Sequence, residues 1–304
     1  MIVQTKQISL LLAFACFIFA ITVACNTDNQ SRSSSSPDSD HFPYSVVDSN
    51  GKILTFDQAP KRIVALDSAV VEILFAIGEG DRIVGVHNFV SFPPEASNIT
   101  KVGDAYNLNK ESILDLNPDL VFLFSEGAVE DLEKLGLKVF YLETLHNDFR
   151  KIPESIRLWG NIVGNQQASN QIAQDFENRI KSIEEVMLKV DEDMSVFQDE
   201  GSLWTPGPDT MIGSVFDLLK LSNIAHDISG YSQLSPEIIV DRNPDIIIAS
   251  YGDEISSNPA FSNIAAILNK KIFVPEEDRL SVAGPRYVEG IEILAKWVYP
   301  KFFK

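Results

Sequence analysis

The sequence predicts an α/β protein of two similar lobes with mostly parallel sheets, bridged by one long helix, with a ligand cleft between the lobes. Three observations predict this fold: a phrase that occurs twice, strand and helix patterns that alternate around each copy, and one long amphipathic segment between the copies. A duplicated lobe indicates a cleft, because the space between paired lobes is a common place for a ligand.

The repeated phrase reads E-S-I-L-D-L-N-P-D-L-V-F at residues 111–122 and E-I-I-V-D-R-N-P-D-I-I-I at residues 237–248, with six identical positions. Asn109 and Ser235 stand two positions before each Glu, where a helix N-cap belongs. Pro236 occupies the favoured first helical position of the second copy. Each Glu is therefore predicted in the first turn of a short helix, which Asn-Pro-Asp ends before a strand that is buried on both faces.

The first lobe is predicted at residues 44–163. It begins with a hairpin of strands 44–47 and 52–56, because Asn50-Gly51 suits a tight primed turn. A strand at 62–66, a helix at 69–77 that ends at Gly78, and a strand at 82–86 lead to the first copy of the phrase and a strand at 120–124. This alternation implies a parallel sheet with helices on its faces.

The bridge between the lobes is predicted at residues 164–191. Apolar residues recur every three or four positions from 166 to 190 without Gly or Pro, which predicts an amphipathic helix of about 37 Å. The second lobe, residues 192–304, repeats the alternation. Its predicted elements are strand 195–199, helix 211–221, the second copy of the phrase, strand 271–274 and helix 288–298.

The N-terminus has the pattern of an export signal at residues 1–24. Lys6 precedes an apolar run from 8 to 24 that ends in Thr-Val-Ala-Cys, which resembles a bacterial lipoprotein signal with cleavage before Cys25 and acylation of that residue. An uncleaved anchor and a plain cleaved signal remain open. Residues 25–43 are rich in Ser and Asp and are predicted to form a flexible tether.

Composition excludes several function classes. The net charge of −18 without a basic patch argues against nucleic-acid binding. Cys16 and Cys25 are the only cysteines, so the body has no disulfide, thiolate metal site or cysteine nucleophile. No catalytic triad signature, phosphate loop or metal-hydrolase motif occurs, which predicts a protein that is neither an enzyme nor the holder of a resident cofactor.

Candidate ligand-binding residues follow the predicted strands, since ligands of open α/β lobes bind at the carboxyl ends of strands. The aromatic members favour a large, flat or greasy ligand, although each ring by itself could equally be packed in a core. Arg286, at the start of the last helix, could be structural or could contact the ligand. The candidates are Asp67, Ser68, His87, Phe89, Tyr106, Trp204, Tyr231, Tyr251, Asp278 and Arg286.

Several short motifs, in their order and spacing, give the chain a resemblance to a known family. They include P-K-R-I-V-A-L at 60–66, D-R-I-V-G-V at 81–86, F-P-P-E-A at 92–96, both Asn-Pro-Asp phrases, T-P-G-P at 205–208 and G-P-R at 284–286. The chain resembles the iron-siderophore and vitamin B12 class of solute-binding proteins of bacterial ABC importers. The resemblance covers roughly residues 60–300.

This resemblance implies a monomeric receptor on the outer face of the plasma membrane, lipid-anchored through Cys25. It implies that Glu111 and Glu237 dock against arginines of a two-subunit or homodimeric permease with a cytoplasmic ATPase. The alternative is that each Glu only favours its helix N-terminus, by about 0.3–1 kcal/mol.

The resemblance implies a ferric siderophore or a corrinoid as cargo. Tyr231 falls where vitamin B12 members carry Trp and Asp278 matches an Asp of theirs, whereas Ala105 and Val282 replace a Trp and an Arg. The scarcity of arginines near the cleft argues against strongly anionic chelates. Haem, with His87 and Tyr251 as axial ligands, is the alternative cargo. A zinc or manganese receptor is a weaker alternative, because the three His of the body lack paired spacing.

Overall fold

The computed structural model describes residues 41–104, 107–143, 147–250, 252–275 and 277–303, with backbone only for 252–254. The predicted export signal, Cys25 and most of the predicted tether lie outside the described residues, as do Tyr106, Tyr251 and His146. Within the described part, Phe42 already packs against the core and His41 Nε2 bonds to the carbonyl of Asn161 at 2.9 Å. The folded body therefore begins a few residues before the predicted start of the first lobe.

The first lobe is built on a five-stranded parallel sheet, as predicted. The hairpin strands are β1 (Tyr44–Val47) and β2 (Ile53–Phe56), which pair with each other antiparallel. The sheet strands are β3 (Ile63–Ala65), β4 (Ile83–Val86), β5 (Thr100–Lys101), β6 (Leu120–Leu123) and β7 (Val139–Tyr141), in the order β5-β4-β3-β6-β7. Four helices accompany them: α1 (Ser68–Ala76), α2 (Lys110–Asp115), α3 (Val129–Lys134) and α4 (Ile152–Val163).

The bridging helix α5 spans Gln166–Met187, three residues shorter than predicted. Its buried residues include Phe176, Ile180 and Ile183, one stripe of the expected spacing. At 22 residues it is about 33 Å long. The helix ends in a turn at 188–189, and residues 190–193 connect it to the second sheet, which begins at Met194.

The second lobe carries a four-stranded parallel sheet and a two-stranded antiparallel ribbon. Its strands are β8 (Met194–Asp199), β9 (Trp204–Pro206), β10 (Leu221–Asn223), β11 (Tyr231–Gln233), β12 (Ile246–Ala249) and β13 (Ile272–Phe273). The sheet order is β10-β8-β12-β13, and β9 pairs with β11. Its helices are α6 (Met211–Leu218), α7 (Pro236–Arg242), α8 (Gly252–Ser257), α9 (Ala265–Leu268) and α10 (Tyr287–Val298).

The predicted helix at 211–221 is wrong at its C-terminal end. The chain leaves the helix at Leu218, Lys220 adopts a positive φ of 52°, and Leu221 begins strand β10. Leu221 pairs with Met194 of β8, so the backbone groups of 221–223 bond to the sheet instead of continuing the helix. This competition depends on a strand far away in sequence, which the helical pattern alone cannot reveal.

Helix α5 connects the two lobes through packing and through ion pairs. Arg157 of α4 donates two hydrogen bonds to Glu177, at 2.7 and 2.9 Å. Arg179 donates two to Glu292 of α10, at 2.8 and 2.5 Å. One continuous buried cluster includes residues of both sheets, α4, α5 and α10. The lobes are therefore joined by a shared core, which restricts their relative motion.

The repeated phrase has the same geometry in both lobes. The Asn109 side chain accepts from the N–H of Ser112 and Ser235 accepts from Ile238, so both predicted N-caps are confirmed. Asn117 and Asn243 end the helices in the left-handed region, with φ of 45° and 41°. The strands that follow, β6 and β12, are buried throughout.

Candidate functional site

A cleft of about 440 Å³ lies at the carboxyl ends of β3, β4 and β6 and is closed on its other side by the second lobe. This is the position predicted for a ligand in open α/β lobes. From the first lobe its walls include Asp67, Ser68, His87, Phe122, Phe124, Leu142, Ser155, Leu158 and Trp159; from the second lobe they include Met211, Tyr231, Ser281, Val282 and Ala283. Among its described wall residues there is no Lys or Arg.

The floor of the cleft begins where β3 turns into α1. Asp67 is the N-cap of α1, and its Oδ1 accepts from the N–H of Ala69 at 2.6 Å. Ser68 is the first helical residue and lines the cleft beside it. Asp67 and Ser68 therefore both line the cleft, and the Asp67 carboxylate also caps helix α1.

His87 lies directly after β4 and faces Ser68. Its Nε2 is 2.9 Å from Ser68 Oγ, and its Nδ1 accepts from the backbone N–H of Phe89 at 3.2 Å. Burial lowers the pKa of His87, and the positive charge of Lys101 lowers it further. His87 is therefore neutral near pH 7, with both ring nitrogens engaged.

Exposed aromatic rings occur in the cleft wall and on neighbouring segments of both lobes. Tyr231 and Trp204 are 55% and 48% exposed, and they lie on the paired strands β11 and β9 of the second lobe. Phe124, at the end of β6, is 40% exposed, and Phe89 is 73% exposed. Tyr231 and Phe124 line the cleft itself. Large apolar rings exposed on this scale favour a ligand that presents its own flat or apolar surface.

Arg286 and Asp278 form part of a polar network between the lobes. Arg286 is 9% exposed and donates to Glu72 of α1 at 2.6 Å and to Asp278 at 2.8 Å. Its guanidinium lies 3.5 Å from the ring centroid of Phe92, and Asp278 accepts from Ser91 at 3.1 Å. Arg286 does not line the cleft; it lines a neighbouring cavity of about 460 Å³ against α5. Arg286 thus makes structural contacts between the second lobe and the first.

Glu111 and Glu237 lie in the first turns of α2 and α7 and are exposed, one on each lobe. No ion pair to either carboxylate is found among the described residues. The pKa of Glu237 is lowered by its own backbone N–H and by Ser235. Three positions further along the same helix faces, Leu114 and Val240 are 39% and 40% exposed.

The family model for periplasmic binding proteins matches residues 63–278, a range that contains both sheets and both copies of the phrase. The chain belongs to the periplasmic binding protein family. Membership accounts for the two-lobed α/β architecture and indicates a solute receptor that works outside the cytoplasm.

Known relatives cover nearly the whole chain. An uncharacterized ABC transporter substrate-binding lipoprotein of Bacillus subtilis, YvrC, is 30% identical over 293 residues, which is 92% of this chain and 93% of the relative. A cobalamin-binding protein of Halobacterium salinarum is 26% identical over 272 residues, 84% of this chain and 73% of the relative. A solved structure of a possible iron-binding (periplasmic solute-binding) protein of Staphylococcus epidermidis has a TM-score of 0.69 and 26% identity. It covers 80% of this chain and 100% of that one.

Over the described ranges, no helix combines the length and the apolar character that crossing a membrane requires. Over the same ranges, no three His, Cys, Asp or Glu side chains gather where they could hold a metal ion.

Sequence reasoning missed part of the cleft wall. Two wall residues, Phe124 and Met211, could have been predicted from the sequence. Phe124 ends a predicted strand, and Met211 begins a predicted helix. Ser155 and Trp159 lie on α4, where no local pattern distinguishes a wall residue from a core residue. The ribbon that carries Trp204 and Tyr231 was also missed, because its strands are only three residues long.

Proposed function

We propose that the chain is the lipid-anchored receptor of an ABC importer and that it captures a corrinoid, with a neutral hydroxamate-type ferric chelate as the second cargo class. The observation that carries the proposal is the cleft between the lobes, which presents exposed aromatic rings and, in its described walls, no Lys or Arg. The relative in Halobacterium salinarum that is named a cobalamin-binding protein supports the corrinoid class.

The charge of the cleft walls distinguishes between anionic and neutral ligands. Asp67 and His87 are its only ionisable described wall residues besides the Tyr231 phenol, and His87 is neutral near pH 7. A strongly anionic ferric chelate would enter such a cleft without a cationic partner, at a desolvation cost that nothing on the walls offsets. A corrinoid has neutral amide side chains and a large apolar ring edge, which match polar wall atoms and aromatic rings.

The size of the cleft is consistent with a ligand that extends beyond it. A corrinoid is larger than about 440 Å³, so part of it would project over the rim. Phe89 and Trp204 expose their rings on opposite lobes and would contact that part. Haem is supported less, because both nitrogens of His87 already have hydrogen-bond partners.

Fluorescence titration of the purified chain with cyanocobalamin tests the cargo class, with ferrichrome, ferric citrate and haemin as competitors. We expect saturable quenching of tryptophan emission with cyanocobalamin, and this quenching should persist in Trp204→Phe because Trp159 lines the cleft. Saturable binding of ferric citrate or haemin in preference to cyanocobalamin would contradict the proposed class.

Delivery to a permease rests on Glu111 and Glu237. Their exposure on separate lobes would let one receptor contact both halves of a two-fold partner, and complementary charge would fix its orientation. The double variant Glu111→Arg/Glu237→Arg is expected to abolish uptake of the cargo and to leave its affinity unchanged. Glu185→Arg, an exposed acid on α5, is the matched control and should transport normally. Normal uptake by the double variant would contradict this docking role.

A further inference from the structure

The contacts of His87 determine the direction of a hydrogen bond at the floor of the cleft. The backbone N–H of Phe89 points at His87 Nδ1, with a distance of 3.2 Å between the two nitrogens. An N–H can only donate, so Nδ1 must carry a lone pair and no proton. In a neutral imidazole the proton is then on Nε2.

It follows that His87 is the donor to Ser68. Nε2–H lies 2.9 Å from Ser68 Oγ, so the serine oxygen accepts this bond. The hydroxyl proton of Ser68 is not used in it. Because Ser68 lines the cleft, that proton is available to an atom inside the cleft.

We propose that His87 and Ser68 form a hydrogen-bond relay that presents one oriented donor, the Ser68 hydroxyl proton, to an acceptor oxygen of the bound ligand. The inference rests on the proposed function, since it assigns a polar contact within the same cleft. Ser68 is the contacting residue and His87 is a positioning residue. The acceptor that fits is a carbonyl oxygen, such as that of a corrinoid side-chain amide.

The relay also gives the cleft a chemical preference. Ser68 Oγ already accepts from His87, so only its second lone pair remains for an N–H or an ammonium group of a ligand. A ligand that places a carbonyl there gains a bond that His87 strengthens by polarising the hydroxyl. The preference is thus for an acceptor at this position, independent of net charge.

The tautomer of His87 tests the first half of the relay without any ligand. In the full-length chain, labelled with ¹⁵N-histidine and purified in mild detergent, His87 is assigned by comparison with His87→Gln. We expect a lone-pair resonance for Nδ1 and a protonated resonance for Nε2 near pH 7.5. A protonated Nδ1 would overturn the relay.

Titration with two probes tests the second half. The probes are cyanocobalamin and a corrinoid heptamethyl ester, whose side chains accept hydrogen bonds but cannot donate them. Ser68→Ala is expected to weaken both by about three- to tenfold, the effect of losing one hydrogen bond. Ser68→Thr keeps the hydroxyl and should bind within about twofold of the wild type. Ser222→Ala, an exposed serine on β10, is the matched control.

The ester separates a donor role from a structural one. If Ser68 accepted from the ligand, its removal would weaken cyanocobalamin binding and leave ester binding unchanged, which would overturn the proposal. His87→Ala should weaken both probes less than Ser68→Ala, with partial recovery in His87→Gln, because the glutamine amide can donate to Ser68. Equal affinities of the wild type and Ser68→Ala for both probes would also overturn it. If the wild type binds neither probe, the corrinoid assignment fails, and the His87 resonances still decide the direction of the bond.

Discussion

The bridge between Glu72 and Arg286 is predicted to be a large contribution to the stability of the whole body. The Glu72 side chain is 3% exposed and that of Arg286 is 10% exposed, and their atoms approach to 2.6 Å. Glu72 belongs to α1 of the first lobe, and Arg286 directly precedes α10 of the second. Removing Arg286 leaves the buried Glu72 carboxylate without its partner, which costs about 3–5 kcal/mol. Removing Glu72 should cost less, because Arg286 keeps its ion pairs with Asp278 and Glu277.

The loss of stability on removing Arg286 should depend on pH, because it arises from the buried charge of Glu72. Burial already raises the pKa of Glu72, and Arg286 opposes that shift. In Arg286→Ala the opposition is lost and the pKa of folded Glu72 rises further above its unfolded value. A carboxyl group of this kind binds its proton more tightly when folded, so stability falls as pH rises through the interval between the two pKa values. Arg286→Ala should therefore lose stability as pH rises above the ordinary range of a glutamate pKa and recover it on acidification toward that range.

Urea denaturation of Glu72→Met, Arg286→Met and the double variant measures the effect and the coupling. Arg286→Met should lose about 3–5 kcal/mol, and Glu72→Met should lose less because Arg286 keeps Asp278 and Glu277. The double variant should be more stable than Arg286→Met, because it no longer contains an unpaired buried Glu72 carboxylate. Asp278 keeps its bond to Ser91 in all three. A loss below about 1 kcal/mol in Arg286→Met, or strictly additive losses in the double, would refute the reasoning.

Two further predictions concern the second lobe. Arg242 donates two hydrogen bonds of 2.7 Å to Asp227 and lowers the pKa of that carboxyl to about 2. The stabilisation from this pair should be complete above about pH 4 and vanish as pH falls toward 2. In Arg242→Gln, the pKa of Asp227 measured by ¹³C NMR should rise. An unchanged pKa would contradict the predicted effect of Arg242. Tyr299 is buried and donates to the carbonyl of Leu219 at 2.7 Å, so Tyr299→Phe should cost about 1–3 kcal/mol. Its melting temperature should then fall by at least about 2 °C in calorimetry, and an unshifted melt would contradict the role of this bond.

The fold was predictable because its determinants are local and occur twice. Asn109, Ser235 and Pro236 start their helices as their positions in the phrase predict, and the buried runs after them form interior strands of both sheets. The end of α6 was not predictable, since it depends on pairing between Leu221 and Met194. Local pattern carries no information about such a distant partner.

The candidate site was predictable in position but only partly in its contacts. Asp67, Ser68 and His87, which follow predicted strands, line the cleft because topology alone brings these loops together, and their contact with a ligand stays a prediction. The bond from His87 to Ser68 depends on a rotamer and a tautomer. The role of Arg286 depends on Glu72, which is 214 residues away in the chain. Neither contact can be predicted from the sequence alone.

The repeated phrase separates residues that the fold needs from residues that it does not. Ile113 and Ile239 are completely buried, and the two Asn residues adopt the left-handed conformation that ends each helix. Asp119 accepts from the backbone N–H groups of Lys61 and Arg62, and Asp245 accepts from that of Ser195. These Asp residues hold the start of the central strand in each lobe, so their identity in both copies has a structural cause.

Glu111 and Glu237 have no comparable cause. Both are exposed, and among the described residues neither pairs with a cation of its own lobe. A favourable interaction with the helix N-terminus would be supplied equally by Asp, and a cap by Ser, as Ser235 already demonstrates. Glu237 does contact Ser235 and its own backbone N–H, but these contacts lie within its own helix terminus. An exposed glutamate at the same place in both lobes fits the proposed two-fold partner with paired cations. This is why the double charge reversal at these positions is a sharper test of transport than any change in the cleft.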